Sequence, residues 1–261
     1  MSLAACIWAL TCAEEVALEQ VADAGFTHID IRPGWLQTAD LQQRAEDLGL
    51  AVSCIAASAD MPEGVSLAGD DSQSARDHIN RAFEHGAWLG ATTAYLVPQG
   101  DDADLFAESL SVLADQAQDA GVKLAVEHFP GTFLPTVPFT LNYLEEIGHP
   151  NLYLLFDIGH AQMANEDPAD MIALAGDRLG YVHLDDNDGE EDLHLGLCDG
   201  VLTREVLRST FAALLSANYA GNMSLELKPD IPDPLDALKR SRGIVIENLQ
   251  FDHDPSAHLS R

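Results

Sequence analysis

Short apolar runs alternate with longer amphipathic stretches along the whole chain. The apolar runs have the length and the Val, Leu, Ile and Ala content of buried strands. They are Ala4–Trp8, His28–Ile31, Leu50–Ala56, Thr93–Val97, Val122–Glu127, Leu152–Asp157, Gly180–Leu184 and Met223–Leu227. Between and after them, apolar residues recur at helical spacing. The helices predicted this way cover Ala13–Ala24, Ala39–Leu48, Ser74–Leu89, Ala103–Ala120, Thr140–Ile147, Pro168–Ala175, Thr203–Ala217 and Pro234–Asn248. Gly25, Gly49, Gly90 and Gly121 stand where a helix C-terminus needs a left-handed residue before the next strand. Eight strand–helix units in succession predict an α/β protein, a (β/α)8 TIM barrel, as a single domain over residues 1–250 with a polar tail at 251–261. A doubly wound open sheet is the other arrangement of such units. The first strand, however, is not followed by the Gly-x-Gly-x-x-Gly of a dinucleotide site.

Composition agrees with one large core. The chain has 261 residues, 47% of them hydrophobic, and barrels of this size are commonly one domain. Charge narrows the partners. Acids number 43 against 13 Lys plus Arg, a formal net charge of −30. Such a surface repels phosphate backbones and anionic membranes, so neither nucleic acid nor membrane is expected as a partner. The acidity reads either as a solubility device or as adaptation to a salt-rich cytoplasm, where screening relieves the self-repulsion. No apolar run approaches the ~20 residues of a membrane helix, and the opening MSLAAC lacks the basic and apolar regions of an export signal. Cys6, Cys12, Cys54 and Cys198 form no Cys-x-x-Cys pair and read as reduced thiols. A cytoplasmic location is expected.

Chemistry gathers at the ends of the late strands. Strand five ends LAVE at Glu127, strand six LLFD at Asp157, strand seven carries His183 in YVHLDDN, and strand eight carries Glu226 in MSLELKP. Side chains alternate along a strand. The polar member of each run therefore faces opposite to its apolar neighbours, towards the barrel mouth where barrel active sites lie. Three carboxylates and one imidazole brought together are costly unless a cation joins them. An oxygen-rich set with a single imidazole suits Mn²⁺, Mg²⁺ or Zn²⁺. Weaker candidates are Arg32, inward with Asp30 on strand two, and Lys228, on the strand face of Glu226. Either could bind a substrate oxygen or phosphate, or neutralise the acidic mouth. Trp8, at the end of strand one, could stack on a sugar face. His128 points away from Glu127 and reads as structural.

The segments AVEHFP, FDIGH, VHLDDNDGEEDLHLG and LELKP, in this order, resemble the xylose isomerase-like barrels of sugar and sugar phosphate isomerases and epimerases. The resemblance implies that Glu127, Asp157, His183 and Glu226 hold one divalent metal, with Glu127 and Glu226 as the catalytic acid/base pair. It also implies that His160 of the Asp-x-x-His acts on the substrate side. Asp192 and His194 of DLHLG join His160 either in gripping substrate hydroxyls or in holding a second metal. The expected activity is isomerisation or epimerisation of a sugar or sugar phosphate through an enediolate. Dehydration of a keto sugar or inosose uses the same site and is the variant reading. Ketose 3-epimerases of the family carry an Arg soon after the strand-seven histidine. Here Gly189 stands near that point, which argues against that activity in particular. An endonuclease IV-like role in DNA repair is disfavoured, because strands three and four end CIAAS and LVPQG without the histidines it needs. A non-catalytic sugar-binding barrel has no need of the carboxylate pair. Pairing into a homo-oligomer through a barrel end is compatible with the sequence, but no residue points to it.

Overall fold

A computed structural model describes residues 1–69 and 71–251. Eight parallel strands close in sequence order: β1 (Leu3–Cys6), β2 (His28–Ile31), β3 (Ala51–Ala56), β4 (Thr93–Leu96), β5 (Lys123–Glu127), β6 (Leu152–Asp157), β7 (Leu179–Leu184) and β8 (Met223–Leu225). Pairing of β1 with β8 completes the (β/α)8 TIM barrel. The helices are α1 (Glu14–Asp23), α2 (Ala39–Asp47), α3 (Ser72–Trp88), α4 (Ala103–Ala120), α5 (Val137–Ile147), α6 (Ile158–Met163), α7 (Pro168–Ala175), α8 (Arg204–Ser216) and α9 (Pro234–Phe251). Of the polar tail expected at 251–261, only Phe251 is described, as the last residue of α9. No described helix is long and apolar enough to cross a membrane.

Local chemistry starts and stops these helices. Asp102 caps α4 by accepting from the amides of Asp104 and Leu105, and Gly121 ends it at φ 81°. Thr136 caps α5, whose first turn reaches back over Pro138 to Val137, three residues before the predicted start. Asp167 and Pro168 open α7 in the same manner. Strand alternation then sorts the core into two parts. Ile29, Ile31, Ile55, Leu124, Val126, Leu154, Phe156 and Val182 face the helices. Cys6, Cys54, Tyr95, Ala125, Leu155 and Tyr181 fill the barrel interior with Trp8.

Two expectations need correction. Strand one stops at Cys6, and a 3-10 turn over Ile7–Ala9 carries Trp8, so Trp8 does not end the strand. Strand eight stops at Leu225, although the Glu226 amide still donates to Leu184 O at 3.2 Å and prolongs the ladder by one bond. A short helix, α6, follows β6 at once and had no periodic signal of its own. The barrel interior also holds a buried polar group. Asp30 is fully buried, accepts from the Tyr181 hydroxyl at 2.7 Å, and lies 3.8 Å from the Cys6 thiol.

Candidate functional site

Glu127 and Asp157 are the last residues of β5 and β6, His183 lies one residue from the end of β7, and Glu226 follows β8 directly. One donor atom from each lies within 4.8 Å of those of the other three. His183 Nδ1 is 2.6 Å from Glu226 Oε2, 3.4 Å from Glu127 Oε1 and 3.9 Å from Asp157 Oδ2. Yet Glu127 Oε1, Asp157 Oδ2 and both ring nitrogens of His183 are buried without a directional hydrogen bond. Buried polar atoms ordinarily find partners. Three side chains aiming orphaned atoms at one another, with the Glu226 carboxylate beside them, fit a divalent cation better than they fit any internal pairing.

The remaining atoms of this set are fixed by the protein. Asp157 Oδ1 accepts the His160 amide at 2.7 Å and so caps α6, leaving Oδ2 for the cluster. Tyr95 donates to Glu226 Oε1 at 3.3 Å. Environment separates the two glutamates. Burial raises the Glu127 carboxyl. Burial acts on Glu226 too, but the charge and proximity of His183 outweigh it and hold that carboxyl down at about 2.

A second cluster adjoins the first. His160 rides on α6, donates from Nδ1 to His128 O at 2.9 Å, and sets Nε2 3.3 Å from Asp192 Oδ1. His194 Nε2 lies 2.8 Å from the same oxygen, and Lys228 Nζ 3.3 Å from Asp192 Oδ2. His194 holds φ 44°, a left-handed conformation unusual for a residue with a Cβ. Burial disfavours a charge on His160, but Asp157, Asp192 and Glu127 together raise its pKa to about 10. Partial burial opposes ionisation of Asp192, yet the two histidines hold it well below the usual carboxylate range.

The remaining expectations divide. His128 is structural in its contacts: its ring stacks on Phe156, and its Nε2 accepts the Asp157 amide at 3.2 Å. Lys228 pairs with Asp192 and is absent from the walls of the mouth cavity. Trp8 is nearly buried and lies under the guanidinium of Arg32, 5.1 Å from it. Asp185 escaped the sequence reading. It is buried, its Oδ2 is 2.7 Å from His194 Nδ1, and burial with the charge of Asp157 raises its pKa to about 7. Its position two residues after His183 was the available signal, since i and i+2 share a strand face. Gly159 is needed here for space, because a Cβ would collide with Asp185 Oδ1 and Asn187 Nδ2.

The mouth cavity measures about 320 Å³ and is walled in part by Glu127, Glu226, His160, Asp192 and His194. A cavity of about 430 Å³ opens at the opposite end of the barrel around Thr93, Lys123 and Tyr219, without an imidazole.

Residues 18–247 match the family described as xylose isomerase-like TIM barrel. Among curated proteins, an L-ribulose 3-epimerase of Methylomonas is 33% identical over 151 residues, 56% of this chain and 48% of that protein. An inosose dehydratase of Salmonella typhimurium is 27% identical over 162 residues, 56% of this chain and 54% of that protein. Across such relatives the match spans between 48% and 84% of their length, and for the first two 64% and 48%. A solved structure of an L-ribulose 3-epimerase superposes with a TM-score of 0.81 at 22% identity, covering 100% of this chain and 98% of that one, which shows the shared fold.

Proposed function

The chain belongs to the xylose isomerase-like TIM barrel family, and on that premise we propose that it is a divalent-metal-dependent isomerase or epimerase of a sugar or sugar phosphate. The observation that carries this reading is the convergence of Glu127, Asp157, His183 and Glu226, the first three with orphaned buried atoms. Mn²⁺, Mg²⁺ or Zn²⁺ held by these four residues would supply Lewis acidity to a substrate carbonyl and its neighbouring hydroxyl. The two glutamates do the proton work. One takes the proton α to the carbonyl, and the other, as an acid, returns one. Return to the opposite face of the same carbon inverts it, and return to the neighbouring carbon exchanges aldose and ketose. Asp157 and His183 act as ligands only. His160, Asp192 and His194 hold substrate hydroxyls beside them, and a second metal at that trio is the minor form of the same reading.

Elimination of water from a keto sugar or inosose remains the second activity, favoured by the dehydratase relatives. DNA is a poor substrate for a chain with a net charge of −30. Deuterium uptake into a panel of ketoses, aldoses and inososes in deuterated water with Mn²⁺, read by mass spectrometry, tests the proposal. Exchange at the carbon next to the carbonyl is expected. Metal binding with no exchange into any of them would leave a non-catalytic sugar-binding barrel.

A further inference from the structure

Among the described residues, Arg32 is the only lysine or arginine on the wall of the mouth cavity. It lies just past β2, on the side of the mouth also reached by Ser58 and Gln99 from beyond β3 and β4. Its guanidinium carbon lies over the Trp8 ring, 5.1 Å from the ring centre. Among the described residues it forms no ion pair and no hydrogen bond, although Glu127, Asp192 and Glu226 line the same cavity. A cation present only to neutralise these acids would be expected to reach one of them. Lys228 does so, at 3.3 Å from Asp192, and Arg32 does not.

The contact with the ring spends none of the guanidinium's N–H donors on a hydrogen bond. Those donors match the paired oxygens of a carboxylate or phosphate. Arg32 is partly exposed, and its donors are open to solvent or to a ligand in the cavity. The acidic surface elsewhere repels anions, so an anionic ligand needs a dedicated cation at its binding point. The cavity of about 320 Å³ is at the small end for ligand pockets, which suits a short carbon chain.

We propose that Arg32 is the anion-binding end of the mouth cavity, and that the substrate is a short sugar bearing a terminal oxyanion, carboxylate or phosphate. The reacting carbons then lie at the carboxylate–imidazole end. This rests on the isomerase or epimerase reading above and narrows its substrate class.

The test pairs turnover with binding. Deuterium exchange is measured for a neutral ketopentose, its terminal phosphate ester and a keto sugar acid, with the parent and with Arg32→Gln, Arg32→Lys and Arg240→Gln. Arg240 serves as control because its partners, Asp199 and Asp236, lie on the surface. Expected is a preference of at least about 10-fold in kcat/KM for one of the anionic substrates, with the better of the two identifying the group. Arg32→Gln should shrink that preference by about 10- to 100-fold, the worth of a hydrogen bond to a charged group. Arg32→Lys should restore part of it, and Arg240→Gln should not alter it. In parallel, inorganic phosphate and glycerate are titrated calorimetrically into the parent and Arg32→Gln proteins. Equal rates on neutral and anionic sugars, unchanged by Arg32→Gln, overturn the anion subsite and leave the isomerase reading standing. If no sugar exchanges protons, the isomerase reading fails and calorimetry decides the subsite: anion binding lost in Arg32→Gln supports it, and no binding to the parent overturns it.

Discussion

His183 Nδ1 approaches Glu226 Oε2 to 2.6 Å without the alignment of a hydrogen bond, while Glu127 and Asp157 aim buried, unpartnered oxygens at the same place. A cation that satisfies all four binds the folded chain and not the unfolded one. Ligand at one hundred times its Kd stabilises by ~2.7 kcal/mol. For a domain of this size the melting temperature should rise by about 5–10 °C with Mn²⁺ and return on chelation. Asp157→Ala should lose most of that rise. Calorimetric melting with and without Mn²⁺ checks it, and identical melting temperatures would remove the metal from the account.

The glutamates separate ligand from acid/base roles. Glu127→Gln and Glu226→Gln each keep an oxygen donor and lose the titrating group. Proton transfer by a positioned residue is typically worth ~10²–10⁴-fold. Each variant should therefore lose substrate deuterium exchange on that scale while still binding metal, measured as metal stoichiometry by elemental analysis. Parental exchange rates in both would mean that another base does the work.

Asp30 should make stability fall with rising pH. Burial, opposed by His183, Tyr181 and Ser224, raises its pKa from 3.8 to about 6. The folded chain thus holds a proton there over a range in which the unfolded chain has released it. The neutral carboxyl carries no penalty below about pH 4, and the charged one accumulates its full cost as pH rises through about 6. Two pKa units correspond to ~3 kcal/mol. The groups facing it are Cys6, Tyr181, Ser224, His183 and Glu226. Asp30→Asn should gain stability relative to the parent between pH 4 and pH 7. Urea titrations with chelator present read this difference, and parallel pH curves for the two proteins would refute it.

Two glycines should respond oppositely to alanine. In Gly159→Ala the new Cβ meets Asp185 Oδ1 and Asn187 Nδ2, so the strained site should cost about 1–3 kcal/mol. Gly243 lies inside α9 with nothing within 4 Å of an added Cβ. Gly243→Ala should stabilise by about 0.5–1 kcal/mol, because alanine restricts the unfolded chain and favours helix. Thermal melts of both variants check the pair, and a loss for Gly243→Ala as large as that for Gly159→Ala would contradict the packing described.

The sequence by itself determined the barrel and most of its mouth. Strand alternation and helix ends are properties of neighbouring residues, so the parity of Glu127 and Asp157 and the caps at Gly25 and Gly121 could be read directly. Tertiary structure decided which groups share an environment. Asp30 and Tyr181 are 151 positions apart and meet only when the barrel closes. Asp185 becomes the partner of His194 only because the loop after β7 folds back over the mouth, where the Asp186 and Leu195 backbones pair. The turn at Trp8 and the helix carrying His160 have no periodic signature, because each is too short for one. Whether a cation finds an acid, as Lys228 does beside the mouth cavity, or finds none, as Arg32 does on its wall, depends on distances across the barrel that no spacing along the chain encodes.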